Sequence, residues 1–286
     1  MAPCLSAMAL QSLAMQSGSW KVMPRKSPTK TARPVKSTPT GPRVEAVARA
    51  LRLLESFAVS PKPLSLSQLA AAAKIDKSAS QRLSNTLLQL GYLEKSEGGL
   101  VPGRKLLDRS YDYLRCNPMV SRAYPILVEL RRTSEERTSL SLFDDLTMIY
   151  AIRLDSKQDA YYAHLPGKRV PTYCTSAGRA VLACLPDARI VDVIGRSDRK
   201  PLTPKTTVGK EDCRVQIERA RRTGYAVAVE EILIGELAVA AAVLDSQRTP
   251  VGAVSIAASL SEWTPETFSR RFGPLVVAAA QAISGI

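Results

Sequence analysis

The sequence predicts an α+β protein in two parts: an N-terminal winged helix-turn-helix domain and, beyond a linker helix, a larger domain on a largely antiparallel sheet. Three observations carry this. Three short helical segments lie between Val44 and Leu90, and a Gly98-Gly99 hairpin follows them. From Thr138 the apolar period shortens from helical to alternating. Beyond it strands and helices mix without regular β-α alternation, the pattern of an antiparallel rather than a parallel sheet. The predicted divisions are a disordered basic tail over 1–43, the winged helix-turn-helix over 44–103, the linker helix over 104–120 and the sheet domain over 121–286.

The first helix starts at Val44, where Val47, Leu51 and Leu54 recur at i, i+4 and i+7, and Pro61 and Pro63 end it. Ser65 and Gln68 have capping-box spacing at the head of Leu66–Ala73. After a Lys74-Ile75-Asp76 turn, a third helix runs from about Lys77 to Leu90, with Gly91 as its C-cap. Tyr92-Leu93-Glu94 and Leu100-Val101 are the two wing strands. Helices are predicted at Arg104–Arg115 and Val120–Glu136, then at Ser176–Leu185 and Glu211–Thr223. Strands are predicted around Leu140–Ile152 and at Ala160–His164, Tyr225–Val229, Leu237–Leu244 and Val251–Ala258. Thr264-Pro265 opens a last helix with Pro at its first position.

The formal charge is +14, and half of it sits in Met1–Arg43, which has seven basic residues and no acid. Such a tail attracts phosphate backbones without reading sequence, and it equally fits a solubilising segment. Met8, Met15 or Met23 could each be the true start. The first twenty residues lack the basic start of a secretory signal, and the longest apolar run, Leu237–Leu244, is too short to span a bilayer. Five scattered cysteines with no C-x-x-C pair read as free thiols of a cytoplasmic protein.

In the third helix, Ala79, Leu83, Thr86, Leu87 and Leu90 form the predicted packing face. Ser78, Arg82, Asn85 and Gln89 lie opposite, with Gln81 adjacent. Arg can grip guanine O6/N7, and Asn or Gln can grip adenine, in a major groove. Lys77 and the helix N-terminus favour a phosphate. The candidate contacts to double-stranded DNA are Lys77, Ser78, Ser80, Gln81, Arg82 and Asn85. An ordinary solvated helix face shows the same polarity, so the whole three-helix-plus-wing layout carries the reading.

Val44–Glu55 resembles the opening helix of the IclR family of bacterial transcriptional regulators. Ser65–Ala73, Lys77-Ser78, Arg82-Leu83 and Gly91-Tyr92-Leu93 resemble its reading head. Pro171–Ala183, Gly224-Tyr225, Glu230-Glu231, Gly235 and Val251–Ser255 resemble its effector-domain signature. The resemblance implies a GAF-like effector and oligomerisation domain. It also implies a homodimer or dimer of dimers on a palindromic operator, and control of catabolic genes by a small organic acid. By resemblance, ligand contacts fall at Ser176, Ala177, Ala228, Ala238, Ser255 and Ala257. Ala228, Ala238 and Ala257 replace polar residues that can occur there, which predicts a more apolar pocket and an aromatic acid.

Read from the residues alone, Thr175 and Ser176 stand where a helix begins, with Ala177 and Gly178 allowing close approach; this fits an anion site or a plain N-cap. Glu230, Glu231 and Glu236 read as structural or loop acids, the first two facing opposite ways on a strand. One histidine, His164, leaves no His-based metal cluster, and no phosphate loop, dinucleotide fingerprint or nucleophile elbow occurs. Cys174 near a helix start is a candidate nucleophile or a buried structural thiol. No cofactor and no enzymatic activity are predicted. A DNA-binding scaffold whose second domain binds no ligand is the competing reading.

Overall fold

The computed structural model of the protein describes residues 41–156 and 166–284. Most of the predicted tail, the Ala160–His164 strand and His164 itself lie outside the described residues. The chain divides into two compact units between Tyr113 and Leu114.

The first unit contains α1 (Glu45–Glu55), a 3₁₀ turn (Ser56–Val59), α2 (Leu66–Ala73), α3 (Lys77–Gln89), β1 (Leu93–Ser96), β2 (Gly99–Pro102) and most of α4 (Lys105–Cys116). The capping box forms as the spacing predicts. Gln68 N donates to Ser65 Oγ at 3.3 Å, and Ser65 N donates to Gln68 Oε1 at 2.8 Å. Lys74 then turns the chain through a left-handed φ of 53°. Leu53, Leu64, Leu69, Ala73, Leu87, Leu93 and Leu100 make the core. Each leucine buried there contributes about 1.5–3 kcal/mol. Leu64 and Leu100 exchange two 2.9 Å backbone bonds that fasten the wing to the segment before α2. Glycine is required at Gly99, where a Cβ would lie 2.6 Å from the Leu64 carbonyl oxygen.

The packing stripe of α3 is narrower than predicted. Ala79, Ser80, Ser84 and Leu87 are buried, whereas Thr86 and Leu90 are exposed. Thr86 lies off the Leu87 stripe, and Leu90 is the C-cap residue, beyond the last turn of the helix.

The second unit begins with α5 (Pro118–Ser134), β3 (Arg137–Asp144), β4 (Thr147–Leu154), β5 (Arg169–Pro171), α6 (Ser176–Ala183), α7 (Asp187–Arg196) and α8 (Lys210–Thr223). It ends with β6 (Ala226–Val229), β7 (Glu236–Leu244), β8 (Pro250–Ser259) and α9 (Pro265–Ser284). The sheet order is β5-β4-β3-β8-β7-β6, antiparallel at every pairing. On one face α5 and α9 bury Leu127, Leu130, Phe268, Phe272 and Val276 against Leu140, Val239, Val254 and Ile256. Trp263 closes this core edge-on to Phe272, with centroids 5.0 Å apart, and donates to Glu136 at 2.7 Å. On the other face α6, α7 and α8 pack Val181, Leu182, Val193 and Ile217 near Met148, Ala240 and Ala253. Neither α7 nor β5 is predicted from the sequence.

One irregularity in the sheet matters for the site. The register of β3 on β4 runs Leu140↔Ile152, then Ser141↔Tyr150, leaving Ala151 as the extra residue of a bulge. Strand side chains alternate faces, so Tyr150 and Arg153, three apart, belong on opposite faces of a regular strand. The bulge restores them to one face, where both line the same cleft.

Candidate functional site

The first unit offers one built surface. Lys77, Ser78, Gln81, Arg82, Asn85 and Gln89 are all exposed along α3. The Asp76 carboxylate caps the helix by accepting from Ala79 N at 2.7 Å. That bond holds its pKa below the ordinary carboxylate value. Gln81 Nε2 donates to Asn85 Oδ1 at 3.0 Å, which orders two amides one turn apart. Ser80 departs from the predicted set. It is fully buried and donates to the Leu66 carbonyl at 3.3 Å, joining α3 to α2 instead of facing outward. Helical geometry explains this, since Ser80 shares the side of Ser84 and Leu87 at i+4 and i+7.

The second unit holds a small cleft, about 40 Å³, between the sheet and the start of α6. Its floor is made of small residues in register. Ala228 pairs with Ala238, Ala238 with Ala257, and Ala257 with Arg137; beside them Ser255 pairs with Ser139, and Ser139 with Arg153. The structure brings Thr175, Ser176, Ala177, Ala228, Ala238, Ser255 and Ala257 together around it. Thr175 caps α6, accepting from Gly178 N at 3.0 Å and donating to Pro171 O at 2.9 Å.

Gly178 does not join them. A Cβ there would sit 2.0 Å from the Thr172 carbonyl oxygen, so this glycine lets α6 press on the preceding loop and makes no opening for a ligand.

The predicted apolar character is also corrected. Beside the alanines stand Arg137, Tyr150, Arg153, Glu231 and Glu236. Arg179 grips Glu231 through both guanidinium Nη atoms, Nη2 to Oε2 at 2.7 Å, while Arg137 pairs with Glu236. Arg153 lies over the Tyr150 ring, 5.2 Å from its centroid. Burial, then the charge of Arg137, lowers the Arg153 pKa, and burial raises that of the Tyr150 phenol. The sequence signal for Arg153 was a basic side chain inside an otherwise largely apolar strand; Arg137 opens a strand of mixed polarity and had no such signal.

Glu230 and Glu231 lie beyond β6 and not on a strand. Glu230 takes a left-handed φ of 55° and accepts from Gly235 N at 2.9 Å. Cys174 is fully buried, and desolvation pushes its thiol up to about 12, which leaves no thiolate for nucleophilic work. Among the described residues no group of three or more His, Cys, Asp or Glu could hold a metal, and no helix is long and apolar enough to cross a membrane.

Comparison with known proteins agrees with this layout. Residues 46–97 match the IclR helix-turn-helix domain and residues 111–285 match the bacterial transcriptional regulator IclR C-terminal domain. The Pca regulon regulatory protein of Pseudomonas putida is 27% identical over 82% of this chain and 81% of its own. The p-hydroxybenzoate hydroxylase transcriptional activator of Acinetobacter baylyi is 25% identical over 82% and 88%. The crystal structure of Thermotoga maritima IclR superposes with a TM-score of 0.66 at 25% identity, covering 85% of this chain and 98% of that one. The relatives are regulators and not enzymes. With a reading-head fold at one end and a matched C-terminal domain over more than half its length, the chain belongs to the IclR family of bacterial transcriptional regulators.

Proposed function

We propose that this regulator reads double-stranded DNA with the exposed face of α3 and changes its DNA affinity when a small organic acid occupies the cleft at the start of α6. The observation that carries the DNA half is the outward face Lys77, Ser78, Gln81, Arg82, Asn85 on a helix whose other side is fixed in the core. Arg82, Gln81 and Asn85 are the base readers, and Lys77 and Ser78 the phosphate contacts. The effector contacts are Thr175, Ser176, Ala177, Ala228, Ala238, Ser255 and Ala257, gathered around one cleft. The backbone N–H groups at the α6 start suit an oxyanion. Tyr150 and the alanine floor suit a flat ring, so an aromatic acid is the first choice, and the named role of the Acinetobacter baylyi relative points the same way.

The protein acts in the cytoplasm as a homodimer or dimer of dimers on a palindromic operator, with residues 44–103 reading DNA, 104–120 linking and 121–286 sensing. Val44 before α1, Val47 and Leu51 on α1, and Leu107 and Tyr111 on α4 are exposed apolar side chains that suit a second copy.

The test is selection of duplexes from a random pool, followed by titration of the selected duplex with and without aromatic and aliphatic acids. A binding acid is expected to change the DNA Kd, and the DNA to change the acid's Kd by the same factor. Failure to enrich any duplex, with or without acids, overturns the proposal.

A further inference from the structure

We infer that the cleft selects a small diacid, one carboxylate resting on the start of α6 and the other held by the guanidinium of Arg153. The inference rests on the reading of this cleft as the effector site and adds the class of effector.

The charges of the cleft point to it. Three guanidiniums, Arg137, Arg153 and Arg179, meet two carboxylates, Glu231 and Glu236. Arg179 engages Glu231, and Arg137 engages Glu236. Among the described residues, Arg153 is the cleft guanidinium with no carboxylate at hydrogen-bonding distance. Its side chain is 5% exposed, and its ion-pair partner, Asp155, is half-exposed and 3.7 Å from Nε, beyond hydrogen-bonding distance. Its Nε and Nη2 atoms are buried without a hydrogen-bond acceptor. A buried guanidinium is costly unless its donors are met.

The identity of the two open donors matters. Nε and Nη2 form one edge of the planar guanidinium, with parallel N–H bonds at the spacing of two carboxylate oxygens. The guanidinium carbon stands 5.2 Å from the Tyr150 ring centroid, and both side chains line the cleft. No water-sized neutral group satisfies both donors as a carboxylate does.

The other end is separate. Ser176 and Ala177 are the first two residues of α6, and their N–H groups have no acceptor within the helix. The next N–H, from Gly178, is already taken by Thr175. Ser176 and Ala177 line the cleft together with Ser255 and Arg153. Ser255, Ser139 and Arg153 are successive register partners on β8, β3 and β4, which separates the outer pair by about 10 Å, two strand spacings. A ligand spanning them carries acids at opposite ends of a short chain or a single ring. A monoacid meets one end and leaves the other desolvated without a counterpart, the arrangement by which a polar site rejects an incomplete ligand.

Calorimetry on the full chain tests this with matched pairs: succinate against butyrate, adipate against hexanoate, terephthalate against benzoate. At least one diacid is expected to bind about tenfold or more tighter than its monoacid mate. Arg153→Gln is expected to weaken the diacid far more than the monoacid and so to remove most of that difference. Arg153→Lys, which keeps the charge and loses the fork, is expected to recover only part of it. Equal binding of diacid and monoacid by the unaltered protein overturns the inference and leaves the effector reading standing. An equal loss of both ligands in Arg153→Gln overturns it too, since that marks a structural role. Binding of no acid, with no change in DNA affinity, overturns both together.

Discussion

Arg179 and Glu231 form a buried ion pair that joins the first turn of α6 to the loop after β6. The Arg179 side chain is 1% exposed, and its Nε also donates to the Tyr173 carbonyl at 3.2 Å. Glu231 accepts in addition from Thr207 N at 2.8 Å. Arg179→Met strands a buried carboxylate and is expected to cost about 3–5 kcal/mol in denaturant unfolding. Replacing both partners, Arg179→Met with Glu231→Leu, is expected to recover much of that loss. A single-variant cost below about 1 kcal/mol contradicts the burial of the pair.

Gly178→Ala is expected to destabilise the second unit by about 1–3 kcal/mol, because its new methyl meets Thr172 backbone that cannot swing away. Gly195→Ala is the matched control. It lies within α7, nothing stands within 4 Å of the added carbon, and helix propensity favours the change by up to about 1 kcal/mol. Thermal unfolding of the two variants should move in opposite directions.

Substitutions on α3 separate reading from attraction. Arg82→Ala is expected to lose about 1–3 kcal/mol on the selected duplex and much less on random DNA. Lys77→Ala is expected to weaken both alike and to lower the salt dependence by about one ion. Ser80→Ala should change stability without changing which duplex is preferred, since its hydroxyl is spent on Leu66. Equal losses on both DNAs for Arg82→Ala reduce that residue to a phosphate contact.

Acid should loosen the reading head through its cap. The folded-state pKa of Asp76 is depressed, first by the Ala79 N–H bond, below the unbonded value of 3.8. Its stabilisation is therefore complete above that value and is lost as pH falls through the lower folded value. Glu94, bonded by the Arg104 backbone N–H, and Glu45, bonded by Arg52, shift in the same direction. Circular-dichroism melts between about pH 2 and 5 are expected to show this fall, and Asp76→Asn, a cap without a titrating group, should make it shallower.

Cys174 should resist alkylation near pH 8 in the native protein while exposed Cys116 reacts, since the buried thiol is pushed up to about 12. Mass spectrometry of the tryptic peptides checks it; rapid labelling at Cys174 contradicts the burial.

The reading head was largely legible because its signals are local. Ser65 with Gln68 marks a helix start within four residues, and Gly98-Gly99 marks the wing turn without reference to distant chain. Ser80 misled because its chemistry suits a groove while its spacing from Ser84 and Leu87 puts it in the core; spacing is the better guide there. The helix Asp187–Arg196 was missed although Ile190, Val193 and Ile194 carry its period. In the cleft, the α6 start could be located as a local helix cap, and the alanine positions only through the family resemblance. The charged wall could not. Arg137, Tyr150 and Arg153 meet through strand pairing across the sheet, and the face of Tyr150 depends on a register shift that alternation cannot show.

That shift gives β4 a peculiar genetic vulnerability. Deleting Ala151 alone would remove no charge, break no ion pair and leave the hydropathy of the strand almost as before. Yet with strict alternation restored, Tyr150 or Arg153 would have to exchange the aqueous hollow for the oily seam under α5 and α9. Length, more than composition, decides at this point which side chains the cleft presents.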